Sequence, residues 1–268
     1  MWRTTPCATS STSVSSEPRF LSCRVTLAGD IREPRAFARA FEPLMPALGL
    51  TPGQLVLGKK HRAFKPDVFG DHVATADAER VTVWRRSDDG ALAHLHLRSG
   101  DDPRIADYVD RAAGVVVPAS ARDALLDLVR CLSDHFGVVS ANIAGHAEHR
   151  RAEKESLRQG VGGTWDAATT QRIEGDVLRW KAARTKLIRL SPITVIGPAI
   201  WATLPPMPAF DPMPRVTDLG DCKVLTAWPT LCEPRDPAFL RGTRDLRAWL
   251  WPYTIQNPAD HVDNDPPR

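Results

Sequence analysis

Arg80-Val81-Thr82-Val83-Trp84-Arg85 and Ala91-Leu92-Ala93-His94-Leu95-His96-Leu97 flank Asp88-Asp89-Gly90, and this stretch decides the fold class. β-Branched and aromatic residues alternate with polar ones on either side of an Asp-Gly turn signal, a pattern that predicts an antiparallel hairpin. Alternation puts Ala93, Leu95 and Leu97 on the buried face and leaves His94 and His96 on the other, in water.

Upstream, Phe20-Leu21-Ser22-Cys23-Arg24-Val25-Thr26-Leu27 sets Leu21, Cys23, Val25 and Leu27 on one face of an extended segment. Asp30 and Glu33 then stand as in a capping box, and Pro34 falls in the first turn. Phe37, Phe41, Leu44, Met45 and Leu48 recur at helical spacing, so an amphipathic helix follows, disturbed near Pro43 and Pro46. Residues 51–78 show little periodicity, and Gly53, Gly58, Pro66 and Gly70 predict a long connection into the hairpin.

Downstream, Val115-Val116-Val117 is a short apolar run. Ser120 and Asp123 are placed to cap a helix whose buried stripe is Leu125, Leu126, Val129, Leu132 and Phe136, closing at Gly137 before a strand at Val138 and Val139. Residues 148–189 carry ten Lys and Arg against six Asp and Glu, the mixed-sign density of solvated helices, interrupted at Gly160-Val161-Gly162-Gly163. In the last third Ile193, Val195, Ile196, Ile200 and Trp201 form an apolar run, and the prolines from Pro205 to Pro214 force an irregular path. Cys222 to Trp228 reads as a strand, and Phe239, Leu240, Leu246, Trp249 and Leu250 mark a closing helix ended by Pro252.

Strands separated sometimes by helices and sometimes by a hairpin give an α+β fold: a mainly antiparallel sheet with helices packed on one side. The expected organisation is one domain over residues 19–257, or two lobes, 19–144 and 186–257, joined by a helical segment 145–185. Residues 1–18 read as a disordered tail and 258–268 as a polar one.

The whole chain has 268 residues, 35 Lys and Arg against 32 Asp and Glu, and 43% hydrophobic residues. That composition excludes collagen-like, coiled-coil and wholly disordered classes and fits a soluble globular protein. A formal charge of +3 creates no strong whole-molecule field, so nucleic acid is not an expected partner. Cys7, Cys23, Cys131, Cys222 and Cys232 are odd in number and contain no C-x-x-C pair, which points to a reducing cytoplasm. The first 18 residues contain no apolar run of a signal peptide or anchor, and no membrane partner is expected.

Candidate chemistry is sparse. His94 and His96, two apart on one strand, offer the spacing for two metal nitrogens, with His72, Asp101 or Asp102 as third ligands; this supports an alternative reading as a metal-dependent hydrolase. His146 and His149 depart from the H-E-x-x-H pattern, and Gly160 to Thr164 lacks a phosphate-loop frame. Asp88-Asp89 is explained by turn formation, and Asp101-Asp102-Pro103 by a loop or helix entrance. No G-x-S-x-G elbow is present, and burial is the expected fate of Cys131. The basic 150–189 region, with Trp165 and Trp180, supports a second alternative, a nucleic-acid-binding module. Trp228 and Trp249 fall in patterned elements and are expected in the core, while Trp201 and Trp251 are expected nearer the surface. No catalytic, metal or cofactor residue is assigned.

Ile196-Gly197-Pro198-Ala199-Ile200-Trp201-Ala202-Thr203-Leu204-Pro205, then Lys223-Val224-Leu225-Thr226-Ala227-Trp228-Pro229, then the helix ending Leu250-Trp251-Pro252, resemble bacterial polymorphic-toxin immunity proteins and are similar to immunity protein family 52 and its relatives. The resemblance covers some 70 residues and rests on the order of elements around these segments. It implies a cytoplasmic protein of polymorphic-toxin and type VI secretion systems that binds and neutralises a cognate toxin, often a nuclease effector, without cofactor or turnover. Inhibitors that plug a basic nuclease cleft are expected to be acidic. The charge of +3 therefore implies a contact away from the toxin's active site, or a locally acidic patch.

Overall fold

The computed structural model describes residues 18–29, 33–57, 60–75, 78–86, 92–101, 109–146 and 184–255. The expected tails, the helical 145–185 segment apart from its ends, and the Asp88-Asp89-Gly90 turn lie outside the described residues.

Among the described residues there are ten strands: β1 (Phe20–Leu27), β2 (Gln54–Leu57), β3 (Lys60–Ala63), β4 (Ala78–Arg86), β5 (Leu92–Asp101), β6 (Val109–Pro118), β7 (Val138–Gly145), β8 (Ile193–Ile196), β9 (Arg215–Leu219) and β10 (Cys222–Thr226). They form one sheet in the order β3-β2-β4-β5-β6-β1-β7-β8-β10-β9, with every neighbouring pair antiparallel. The hairpin read from residues 80–97 is the β4–β5 pair, with Trp84 opposite His94 and Thr82 opposite His96.

Among the described residues six α-helices accompany the sheet: α1 (Pro34–Phe41), α2 (Pro66–Thr75), α3 (Arg122–Phe136), α4 (Pro198–Trp201), α5 (Pro237–Gly242) and α6 (Arg244–Leu250). The fold is α+β, and α1, α2 and α3 share one face of the sheet. There Phe37 of α1 lies 4.9 Å from Phe136 of α3 and 5.8 Å from Phe41, with Phe69 of α2 beside both. These rings close over Leu21, Val25, Leu95, Val115 and Ile143 of the sheet.

A second core differs from the expected one-sided arrangement. Ile196 and Leu225 point away from α3 and are covered by Ile200, Phe239, Leu246 and Leu250 of α4, α5 and α6. The reason is visible in the strands themselves. All four residues of β8 are buried, which requires apolar cover on both faces of the sheet at that end.

Three local expectations are corrected. Residues 51–78 are not a bare connection: they hold β2, β3 and α2, of which the two strands, four residues each, are too short to display a period. Of the capping residues foreseen, Asp30 lies outside the described residues, Glu33 makes no side-chain cap on α1, which Pro34 starts, and Ser120 sits in a short 3-10 turn ahead of α3, which has no side-chain cap either. The single closing helix is two, broken at Thr243, whose hydroxyl donates to the Phe239 carbonyl at 2.6 Å. The C-terminal end of α3 is as read, since Gly137 holds φ +67, a region costly for any residue with a Cβ.

Candidate functional site

His94 and His96 project from β5 on the face opposite α1–α3, stacked with centroids 5.7 Å apart and planes 22° apart. They are half-buried, not in water as expected, although Ala93, Leu95 and Leu97 are buried on the other face. His96 lies over Gly114 of β6, where a Cβ would collide with its ring. The same cross-strand row continues through Arg24 and Asn142 to Thr194 and Leu225. Among the described residues no cluster of three His, Cys, Asp or Glu side chains could hold a metal ion. Of the third ligands considered, α2, which carries His72, packs against α1 on the other face. The Asp101 side chain and Asp102 fall outside the described residues, as do His149, Gly160 to Thr164, Trp165, Trp180, Cys7 and the basic residues 150–183.

Cys23, Cys131, Cys222 and Cys232 are buried free thiols. Burial pushes all four above the ordinary thiol value. Cys131, helped by the charge of Asp134, rises to about 11, and Cys232, helped by Asp236 and Glu233, to about 12. They are protonated near neutral pH and weak nucleophiles. Trp228 and Trp249 pack against the second core as read. Trp201 joins them there, which corrects its surface placement, and Trp251 is half-buried.

A concave feature lies at the far end of the sheet, beside the first turns of α3. A groove of about 730 Å³ has β8, β10 and β9 as its floor through Ile193, Val224, Thr226, Thr217 and Arg215. The first turns of α3 form one wall with Arg122, Asp123 and Leu126, and Pro212-Met213 and Trp228-Pro229 form the rims. Met213 is 58% exposed, the only large hydrophobic side chain among the described residues to stand out this far. Neither Arg122 nor Arg215 makes an ion pair among the described residues, whereas on the other face of the hairpin Lys223 is bonded to Asp218.

The groove opens onto β9, an edge of the sheet. β9 was not foreseen, since five prolines precede it and only Val216 and Thr217 favour strand. The signal that could have found it is Gly220-Asp221, a two-residue turn between paired Leu219 and Cys222 with Gly220 at φ +57, the glycine-first pattern of a type II′ hairpin.

No family model matches the chain, and no curated protein matches it in sequence. A solved structure, the type VI secretion system (T6SS) protein PA0821 of Pseudomonas aeruginosa, is similar in fold. The similarity has a TM-score of 0.50 at 12% identity, over 87% of this chain and 73% of that one. No helix among the described residues is long and apolar enough to cross a membrane.

Proposed function

We propose that this chain is an immunity-type protein of a type VI secretion system, which neutralises a cognate effector by binding it. The observation that carries the reading is the fold likeness to a protein named for that secretion system, extending over most of both chains. A stable complex of this kind buries on the order of 1,600 Å², with a few apolar anchors supplying most of the affinity. The groove with Met213 at its mouth is a surface of that character.

The test is genetic and biochemical. Co-expressing the chain with the effector encoded beside its gene should restore growth that the effector alone arrests, and the two should co-elute. Undiminished toxicity with no complex would overturn the reading.

A further inference from the structure

Resting on that reading, we infer that the effector is gripped by strand addition: an extended effector segment with an acidic side chain pairs along β9 and faces the groove. In a two-residue hairpin the residues flanking the turn exchange both of their hydrogen bonds, and bonded pairs then alternate with unbonded ones. The register Leu219–Cys222, Thr217–Val224 and Arg215–Thr226 therefore spends the inward-facing groups of β9 on β10. The N–H and C=O of Val216 and of Asp218 point out of the sheet, and no backbone bond among the described residues meets them. Two donors and two acceptors, regularly spaced, await an added strand.

Natural edges are blunted by short length, charged side chains, a proline, a bulge or a covering loop, and β9 has the first two, five residues with Arg215 and Asp218 among them. β9 contains no proline, and its register with β10 runs without a shift. The side chains on its groove face are Arg215 and Thr217, both exposed. Arg215 and Arg122, neither ion-paired among the described residues, outnumber the single carboxylate of Asp123 in the lining. An added strand places every second side chain over this face. Opposite Arg215 a carboxylate is matched in charge and a basic residue is repelled. A neighbouring apolar side chain would meet Met213 and Trp228. A cationic edge also fits a chain of net charge +3, because it takes an acidic segment of the effector and leaves a basic catalytic cleft to be blocked by bulk or not at all.

Residue-resolved hydrogen exchange on the full chain, with and without the effector encoded beside its gene, tests this. In the free chain the Val216 and Asp218 amides should exchange quickly, while Thr217 and Leu219 are protected by β10. In the complex the first two should slow by about 100-fold or more. Val216→Pro removes an outward donor without touching the β10 ladder and should weaken binding at least tenfold. Ala63→Pro, the equivalent change on the opposite edge strand β3, should not. Arg215→Glu should weaken binding in a salt-dependent way, and with the exchange data it decides the matter if Val216→Pro does not fold. A complex that forms with the Val216 and Asp218 amides unprotected overturns strand addition and leaves the proposed function standing. Protection that appears on concentrating the chain alone assigns the edge to a second copy and also overturns it. Absence of any complex fails both.

Discussion

Asn142 Nδ2 donates to the carbonyl of Arg189 at 2.6 Å, tying the middle of β7 to the segment that leads into β8. Asn142 is 6% exposed, so the bond is made in a nearly dry setting where an unmet carbonyl is costly. Two stretches of chain separated by 47 positions are held in register by it, and β8 then pairs back onto β7 from Ile143–Ile193 to Ser140–Ile196. Asn142→Ala should lower unfolding free energy by about 1–3 kcal/mol in urea titration. Asn142→Asp should cost more at neutral pH, since a buried carboxylate would face the carbonyl with nothing to donate. Equal stability of all three proteins would show that the bond is idle.

Phe37 is the aromatic centre of the first core, touching Phe41, Phe69, Phe136 and the His135 ring. It is fully buried, and three helices converge on it. Phe37→Ala should cost about 3–5 kcal/mol and Phe37→Leu distinctly less, because leucine leaves a smaller cavity. Phe210, which lies 5.9 Å from Trp249 at the rim of the second core and is only half-buried, should tolerate alanine better. Thermal unfolding of the three variants checks the order.

Gly114 is required by His96. The imidazole occupies the space a Cβ would take, so Gly114→Ala must displace the ring or the strand and should cost about 1–3 kcal/mol. Adding His96→Ala empties that space, and the double variant should recover most of the loss. A double-mutant cycle with no coupling would mean the two positions do not compete.

The stacked pair His94 and His96 also makes a prediction about metal. Two imidazoles without a third described ligand are a weak zinc site, so the purified full-length chain should carry no near-stoichiometric metal, and chelator should leave its unfolding temperature unchanged. Metal at about one ion per chain, lost in His94→Ala/His96→Ala, would instead favour the hydrolase reading.

The elements legible in the sequence are those with a sustained period and one buried face. Leu21, Cys23, Val25 and Leu27 alternate strictly and are 0–2% exposed; Leu125, Val129, Leu132 and Phe136 hold a helical stripe against them. β2 and β3, four residues each, are shorter than the window in which a period can be recognised. The groove was illegible for a different reason. It exists because α3 covers the sheet only part of the way toward β9, a consequence of strand order and helix position that no local pattern encodes. Arg215 and Arg122 are 93 positions apart in sequence and meet only through that topology.

The thiols supply the pH dependence. Burial holds Cys131 at about 11 and Cys232 at about 12, against an ordinary value of 9.0. A raised thiol value means the folded chain keeps its proton after the unfolded chain has lost it. The associated stability is complete below pH 9 and is lost as pH rises through the folded values. Unfolding midpoints should thus be flat from pH 7 to 9 on this account and fall between about 9 and 12. Cys131→Ala and Cys232→Ala should each flatten the alkaline decline, whatever they do to stability at pH 7. The same burial predicts that, in a Cys7→Ser background, the native thiols react with a thiol-specific reagent only on the timescale of opening or unfolding. Rapid modification of the folded chain at pH 7 would show that one of the four is an accessible thiolate, and would reopen nucleophilic chemistry for this fold.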